Sequence, residues 1–253
     1  MLEHLVRRLD SFSALSEPEI QTVRALFIGG RRVSAGDDIV REGEVSTSVS
    51  VLLEGLACRF KTMPDGRRQI MGFLLPGDLV DLYGYMAGQM DHSVGALTPC
   101  KLAAAQHQKL HEAVEQNPVL IRALWAETMA EGSVAREWMM GLGRRSAYSR
   151  IAHLLCEVVA RMKALGLTDG SVCDLPVTQQ ELADSLGLSL VHVNRVLQRL
   201  RASGLVSLGR GSLQVHDWDG LKQAGEFNPA YLNINVVRRN AKSIGGIGNL
   251  SRV

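Results

Sequence analysis

The chain has 253 residues, 46% of them hydrophobic, enough for one large or two ordinary domains with buried cores. A formal net charge of +2 excludes attraction to nucleic acid or an anionic surface through bulk charge alone, and no run approaches the ~20 apolar residues of a membrane-spanning helix. Four cysteines, Cys58, Cys100, Cys156 and Cys173, are scattered without a C-x-x-C pair, and residues 1–10 lack the apolar core of a secretion signal, so a reducing, cytoplasmic compartment is expected.

Charge is unevenly placed. Arg238, Arg239, Lys242 and Arg252 follow the last acid, Glu226; removing those four from the 28 bases leaves 24 against 26 acids. Residues 177–215, by contrast, hold Arg195, Arg199, Arg201 and Arg210 against Glu181 and Asp184. Positive charge is gathered in one segment, as attraction to phosphates requires.

In chain order, Leu5, Leu9, Phe12, Leu15, Ile20, Val23 and Leu26 recur at helical spacing, and Ser16 with Pro18 starts a second helix. From residue 31 to 105 short runs of β-formers, at 49–53, 56–60 and 70–74, are punctuated by Gly43, Gly55, the turn at 64–66 and the Pro-Gly-Asp at 76–78. This spacing predicts a small antiparallel barrel or jelly roll.

Helical patterning returns at about residue 106. Asn117 before Pro118 predicts a capped start to a long helix running towards Gly143. Along it Ile121, Leu124, Thr128, Ala135, Trp138 and Leu142 approximate a heptad seam, with Trp125, Met129 and Met139 beside it and Glu131 and Gly132 weakening it. A helix apolar over so wide an arc must bury two faces, one on its own barrel and one, by expectation, on the same helix of a second copy. A further helix over 146–164 carries Ile151, Leu154, Leu155, Val158, Val159 and Met162.

Residues 178–201 carry the most specific pattern. Thr178 followed by Glu181 is a capping box, Leu182, Ala183 and Leu186 form one helical face, and Gly187 supplies a left-handed stop. Ser189 caps a second helix whose apolar stripe is Val193, Val196, Leu197 and Leu200. Two short helices sharing a small core predict a helix-turn-helix. The other face of the second helix presents donors and apolar groups without a carboxylate, which suits a DNA major groove. Alternating residues at 205–208 and 212–215 around Gly209, Arg210 and Gly211 predict a two-stranded wing with Arg210 at its tip. Residues 217–232 read as a short helix followed by an aromatic-anchored tail on the winged unit, and 233–253 as loosely ordered.

Roll, long helix and winged helix-turn-helix, in that order, resemble the bacterial transcription regulators of the cyclic-AMP receptor protein and FNR (Crp/Fnr) family. The likeness spans about residues 2–216, rests most on 178–205, and includes the glycines at 43, 55 and 66 and residues 145–155. It implies an α+β chain: a cyclic-nucleotide-binding-type β-roll over 1–116, a dimerisation helix over 117–145, a winged helix-turn-helix over 146–218 and an extension over 219–253. It also implies a homodimer on a two-fold-related site with half-sites ~34 Å apart, and RNA polymerase as a further partner. By this resemblance Leu190, Val191, Asn194 and Arg195 are expected at base edges, Arg195 on a guanine. Thr178, Gln180, Ser189, His192, Gln198, Arg199 and Arg210 are expected at phosphates. Family members carry Glu where this chain has Val191, so an apolar contact replaces acceptance from a cytosine.

Cyclic-nucleotide-binding members hold the ribose with a Glu and the phosphate with an Arg. The corresponding stretches here carry Asp81, Leu82, His92 and Ser93, a degenerate pocket. Losing two charge-assisted bonds of ~1.5–3 kcal/mol each weakens cyclic AMP by roughly two to four decades, so no cyclic AMP response is expected; His92 would hold a phosphate only if protonated. A nucleotide- or other small-ligand-responsive activator of the same family remains the alternative. No cysteine precedes Cys58, unlike FNR-type iron–sulfur proteins, and His92, His107 and His111 match no haem motif. No metal or cofactor is therefore expected, and any small-molecule effector is unassigned. The chain has no P-loop, dinucleotide fingerprint, nucleophile elbow or His-x-x-x-His pair, which argues against an enzyme; a regulatory module that does not bind DNA is the other class.

Overall fold

The computed structural model describes residues 2–209 and 211–234; Arg210 and the extension from 235 to 253 lie outside the described residues. The chain runs α1 (Glu3–Phe12), α2 (Glu17–Leu26), β1 (Ile28–Val33), β2 (Asp38–Val40), β3 (Ser48–Glu54), β4 (Ala57–Thr62), β5 (Arg68–Leu74), α3 (Leu82–Ala87), β6 (Ser93–Ala96) and β7 (Cys100–Gln106). It continues through α4 (His107–Gln116), α5 (Pro118–Arg144), α6 (Ala147–Leu165), β8 (Val172–Asp174), α7 (Gln179–Leu186), α8 (Leu190–Ala202), β9 (Val206–Gly209), β10 (Ser212–Val215), α9 (Trp218–Ala224) and a 3-10 turn at Pro229–Leu232.

Two antiparallel sheets, ordered β1-β7-β3 and β2-β6-β4-β5, make the roll. Ile39, Leu52, Leu74, Val94 and Leu102 fill its interior, and α1, α2, α4 and the start of α5 cover β3 and β7. Two elements escaped the sequence pattern. The six residues of α3 are too few to show a helical period, and β8 adds a third strand to the wing, ordered β8-β10-β9. The expected cap at Asn117 is also corrected: its Nδ2 donates to Ala113 O at 2.7 Å, closing α4, while Pro118 alone sets the start of α5.

One apolar cluster joins the outer side of β4 and β5 to the helix-turn-helix, through Cys58, Ile70 and Phe73 on one side and Leu155, Leu182, Val193 and Leu200 on the other. Polar bonds repeat the junction. Arg68 Nε lies 3.3 Å from Asp184 Oδ2, and Gln69 Nε2 donates to Ser185 O at 3.2 Å. Deeper, Arg8 bridges Asp78 and Glu127 at 3.1 and 2.7 Å, and Arg161 reaches Asp78 at 2.5 Å. Burial alone pushes the Asp78 carboxyl up, but Arg8 and Arg161 outweigh it and hold it below the usual range.

The segment after α9 docks on α6 and α5 as well as on the winged unit. Tyr231 stacks on His153 at 5.7 Å and donates to Glu157 Oε2 at 2.7 Å, while Trp138 Nε1 donates to the same carboxylate at 3.0 Å. Gly225 permits the approach, since a Cβ there would lie 2.6 Å from His153 N and 2.9 Å from Ala152 C. Both obstacles are backbone. Gly225→Ala is therefore expected to cost roughly 1–3 kcal/mol through overpacking, read as a lower midpoint of thermal unfolding; an unchanged midpoint would show that this segment does not close on α6.

Candidate nucleic-acid interface

The capping pattern builds the two helices of the motif. Thr178 Oγ1 accepts from Glu181 N at 3.1 Å and Thr178 N donates to Glu181 Oε2 at 2.6 Å, fixing the start of α7. Gly187, at φ +61°, ends it with a left-handed residue. Ser189 Oγ then accepts from His192 N at 3.3 Å and starts α8, whose Val193, Val196, Leu197 and Leu200 are buried.

The opposite face of α8 is open. Leu190, Val191, His192, Asn194, Arg195, Gln198 and Arg199 are all exposed, Val191 at 68%. Among the described residues Arg195 takes part in no hydrogen bond, ion pair or ring stacking. Its guanidinium is available to a ligand without first breaking an internal contact, and it stands one residue from Asn194, whose Nδ2 donates to Gln179 Oε1 at 3.1 Å.

The expected phosphate contacts sit in more varied surroundings. Thr178 and Ser189 are exposed at two helix starts, their side chains engaged in the caps. Gln180 donates to Asp184 Oδ1 at 2.7 Å, and Asp184 in turn holds Arg68 of the roll, so this residue is tied to β5 as well as presented outward. Arg199 lies 4.9 Å over the Tyr148 ring of α6, anchored on the flank of the interface. Arg210 is outside the described residues.

Two positions of the expected α5 seam, Leu124 and Trp138, need correction by one residue each. Leu124 packs against the cluster beneath α5, and Trp138 meets Phe73 edge-on at 5.9 Å while donating to Glu157, so both face the chain's own core. Ile121, Trp125, Thr128, Ala135, Met139 and Leu142 are exposed, Trp125 at 67% and Met139 at 72%, and with Gly132 they alternate by four and three residues; Thr128, Gly132 and Ala135 also line the cavity beside the roll. Glu131 turns inward to Arg59, at 2.5 Å, which takes its charge away from this face.

Of the degenerate pocket, only His92 lines the cavity of about 640 Å³ between the roll, α1, α5, α6 and residues 232–234. Ser93 Oγ instead accepts from Glu42 N, and Leu82 is buried under α3. His92 is less exposed than a loop position implies: its Nδ1 lies 2.6 Å from Asp91, and burial lowers its pKa, which disfavours the protonated form that would hold a phosphate. Among the described residues, each arginine that lines the cavity is already engaged, Arg7 with Leu165 O, Arg8 and Arg161 with Asp78, and Arg59 with Glu131.

Asp81 is structural. It is 4% exposed and accepts from Ser50 N and Oγ at 2.5 and 3.3 Å, and burial pushes its carboxyl from 3.8 up to about 6. An acid raised in this way leaves stability intact below its unfolded value and removes it as pH climbs through the folded one, here about 3 kcal/mol above both. Asp81→Asn is therefore expected to raise the urea midpoint at pH 8 and to gain little at pH 4. Equal gains at both would contradict this ionisation.

The four thiols are buried, which pushes Cys58 and Cys156 up to about 12 and Cys173 to about 11. Thiolates, the reactive form, are correspondingly scarce. Among the described residues no group of three or more His, Cys, Asp or Glu is placed to hold a metal ion, and no helix is long and apolar enough to cross a membrane.

Comparison with known proteins bears on this geometry. A family model of a Crp-like helix-turn-helix domain matches residues 149–224, and one of a cyclic nucleotide-binding domain matches residues 30–117. The chain is 35% identical over 210 residues to the nitrogen fixation regulation protein FixK of Bradyrhizobium diazoefficiens, covering 81% of this chain and 85% of that one. It is 34% identical over 201 residues to the transcriptional activator protein FnrL of Cereibacter sphaeroides, covering 78% and 80%. Among solved structures it superposes on FixK2 from Bradyrhizobium japonicum with a TM-score of 0.71 and 27% identity, over 78% of this chain and 96% of that one.

Proposed function

We propose a function that proceeds from one fact: the chain belongs to the Crp/Fnr family of transcription regulators. It is a sequence-specific DNA-binding regulator of that family, acting as a homodimer on a pseudo-palindromic site. Each α8 enters a major groove, with Arg195 on a guanine and Leu190, Val191 and Asn194 beside it. Thr178, Gln180, Ser189, His192, Gln198, Arg199 and Arg210 position the helix on phosphates. The observation that supports this reading is Arg195, exposed and without a partner among the described residues, on the open face of a helix whose other face is buried.

Two copies meet along the corrected α5 seam. Relatives named as transcriptional activators support activation as its mode; RNA polymerase is its further partner, and the cytoplasm its compartment. Genomic footprinting with the purified protein tests the reading. Paired half-sites about one turn apart are expected, and uniform binding to all fragments would refute it.

Regulation by cyclic AMP is not part of this function, because among the described residues no unpaired cation faces the cavity and Asp91 and Glu131 line it. The cavity itself favours a second reading, a regulator responding to another small ligand. Calorimetry with cyclic AMP is expected to show no binding at micromolar concentration, and micromolar affinity would overturn this part.

A further inference from the structure

The Gln179 side chain is the one group of α7 bonded to the reading face of α8. We infer that Gln179 is a positioning residue that locks the carboxamide of Asn194, so that each half-site carries an adenine read through its N6 and N7. This rests on the proposed placement of α8 in the major groove.

Gln179 is the first residue of α7, and the Thr178–Glu181 capping box fixes its backbone. Its Oε1 accepts one of the two Nδ2 hydrogens of Asn194 at 3.1 Å. A free asparagine has two donors and a carbonyl and is able to turn either way. With its amide end turned to the base it also donates to guanine O6 or N7, besides pairing with adenine in the other orientation. Asn194 lacks that freedom, because one donor is spent on Gln179. What remains is one N–H beside one carbonyl, in a fixed order.

Of the four bases, adenine alone uses both. Its N7 accepts and its N6 amino group donates, side by side in the major groove. Guanine offers two acceptors there, so its O6 would face the Asn194 carbonyl. Cytosine presents only the N4 donor and thymine only the O4 acceptor and a methyl, each leaving one polar atom of Asn194 dry and unpaired. Both Gln179 and Asn194 are exposed in the free protein, so the bond matters most when DNA has displaced the water around it.

The experiment selects duplexes from a random library with the full-length protein, its Gln179→Ala, Gln179→Glu and Asn194→Ala variants, and titrates the selected site with adenine replaced by guanine or by 7-deazaadenine. The native protein is expected to favour adenine about tenfold over guanine at one position per half-site, and 7-deazaadenine to weaken binding about fivefold. Gln179→Ala should reduce that preference to about threefold or less while leaving the guanine opposite Arg195 selected. Gln179→Glu keeps the acceptor, so it should retain the adenine preference while weakening every duplex through repulsion from phosphates, a split that a merely structural role would not produce. A motif that keeps its adenine preference in Gln179→Ala, or that has no adenine lost in Asn194→Ala, would overturn the inference alone. A library that returns no motif with the native protein would overturn the DNA-binding reading itself, and this inference with it.

Discussion

Arg195→Ala is expected to remove most of the preference for operator over random duplex while leaving weaker, salt-sensitive binding to both. Arg195 is exposed on α8 and holds no internal partner among the described residues, so its removal takes away a contact with the ligand and nothing from the fold. One bidentate guanine contact is worth roughly 1–3 kcal/mol of discrimination, and a dimer makes two. The loss per complex is then roughly 2–6 kcal/mol, the larger part of what separates a specific site from random sequence. Fluorescence titration of operator and scrambled duplexes at one salt concentration measures the ratio directly. If Arg195 instead holds a phosphate, both affinities fall together, the ratio survives, and the salt dependence flattens by about one counterion per contact.

The second large effect concerns the seam. Trp125→Glu and Met139→Glu are each expected to convert the dimer to monomer at micromolar concentration, because the two-fold places a carboxylate against its own copy in an apolar contact. Loss of dimerisation by about two decades or more should follow, with loss of tight operator binding as each half-site is then held singly. Trp138→Phe supplies the contrast. Its indole donates to buried Glu157 and meets Phe73 inside the chain, so this change should lower thermal stability and leave the mass in solution unchanged. Sedimentation of the three variants separates the two registers: a monomeric Trp138→Phe beside a dimeric Trp125→Glu would restore the register that the sequence pattern suggested.

That register illustrates what the sequence can carry. Ile121, Thr128, Ala135 and Leu142 recur every seven residues, and either neighbour, Leu124 or Trp125, Trp138 or Met139, completes an apolar heptad. Periodicity does not choose between adjacent apolar residues. The choice comes from Phe73 and Glu157, which engage Trp138, and from Arg59, which draws Glu131 inward, all distant in sequence. The helix-turn-helix was legible for the opposite reason: its caps at Thr178, Glu181, Gly187 and Ser189 are local chemistry, written within four residues of where they act.

The roll was legible as a class from its turn residues, but not the environment of its side chains. His92 and Asp81 read as remnants of a ligand site. In the fold His92 is largely enclosed, and Asp81 is consumed by Ser50, 31 positions earlier. Nor does any local signal announce that Gly225 and Tyr231 fasten the C-terminal segment to α6, or that Gln179 meets Asn194, 15 positions apart. These are pairings made by topology, and residue type alone does not specify them.

The most direct measurement is a footprint of the purified protein on a fragment that it selects from the genome, made alongside sedimentation at the same concentration. A dimer protecting two inverted half-sites about 34 Å apart, each with a guanine opposite Arg195, is the predicted result. A monomer that protects no discrete site on any fragment would contradict it.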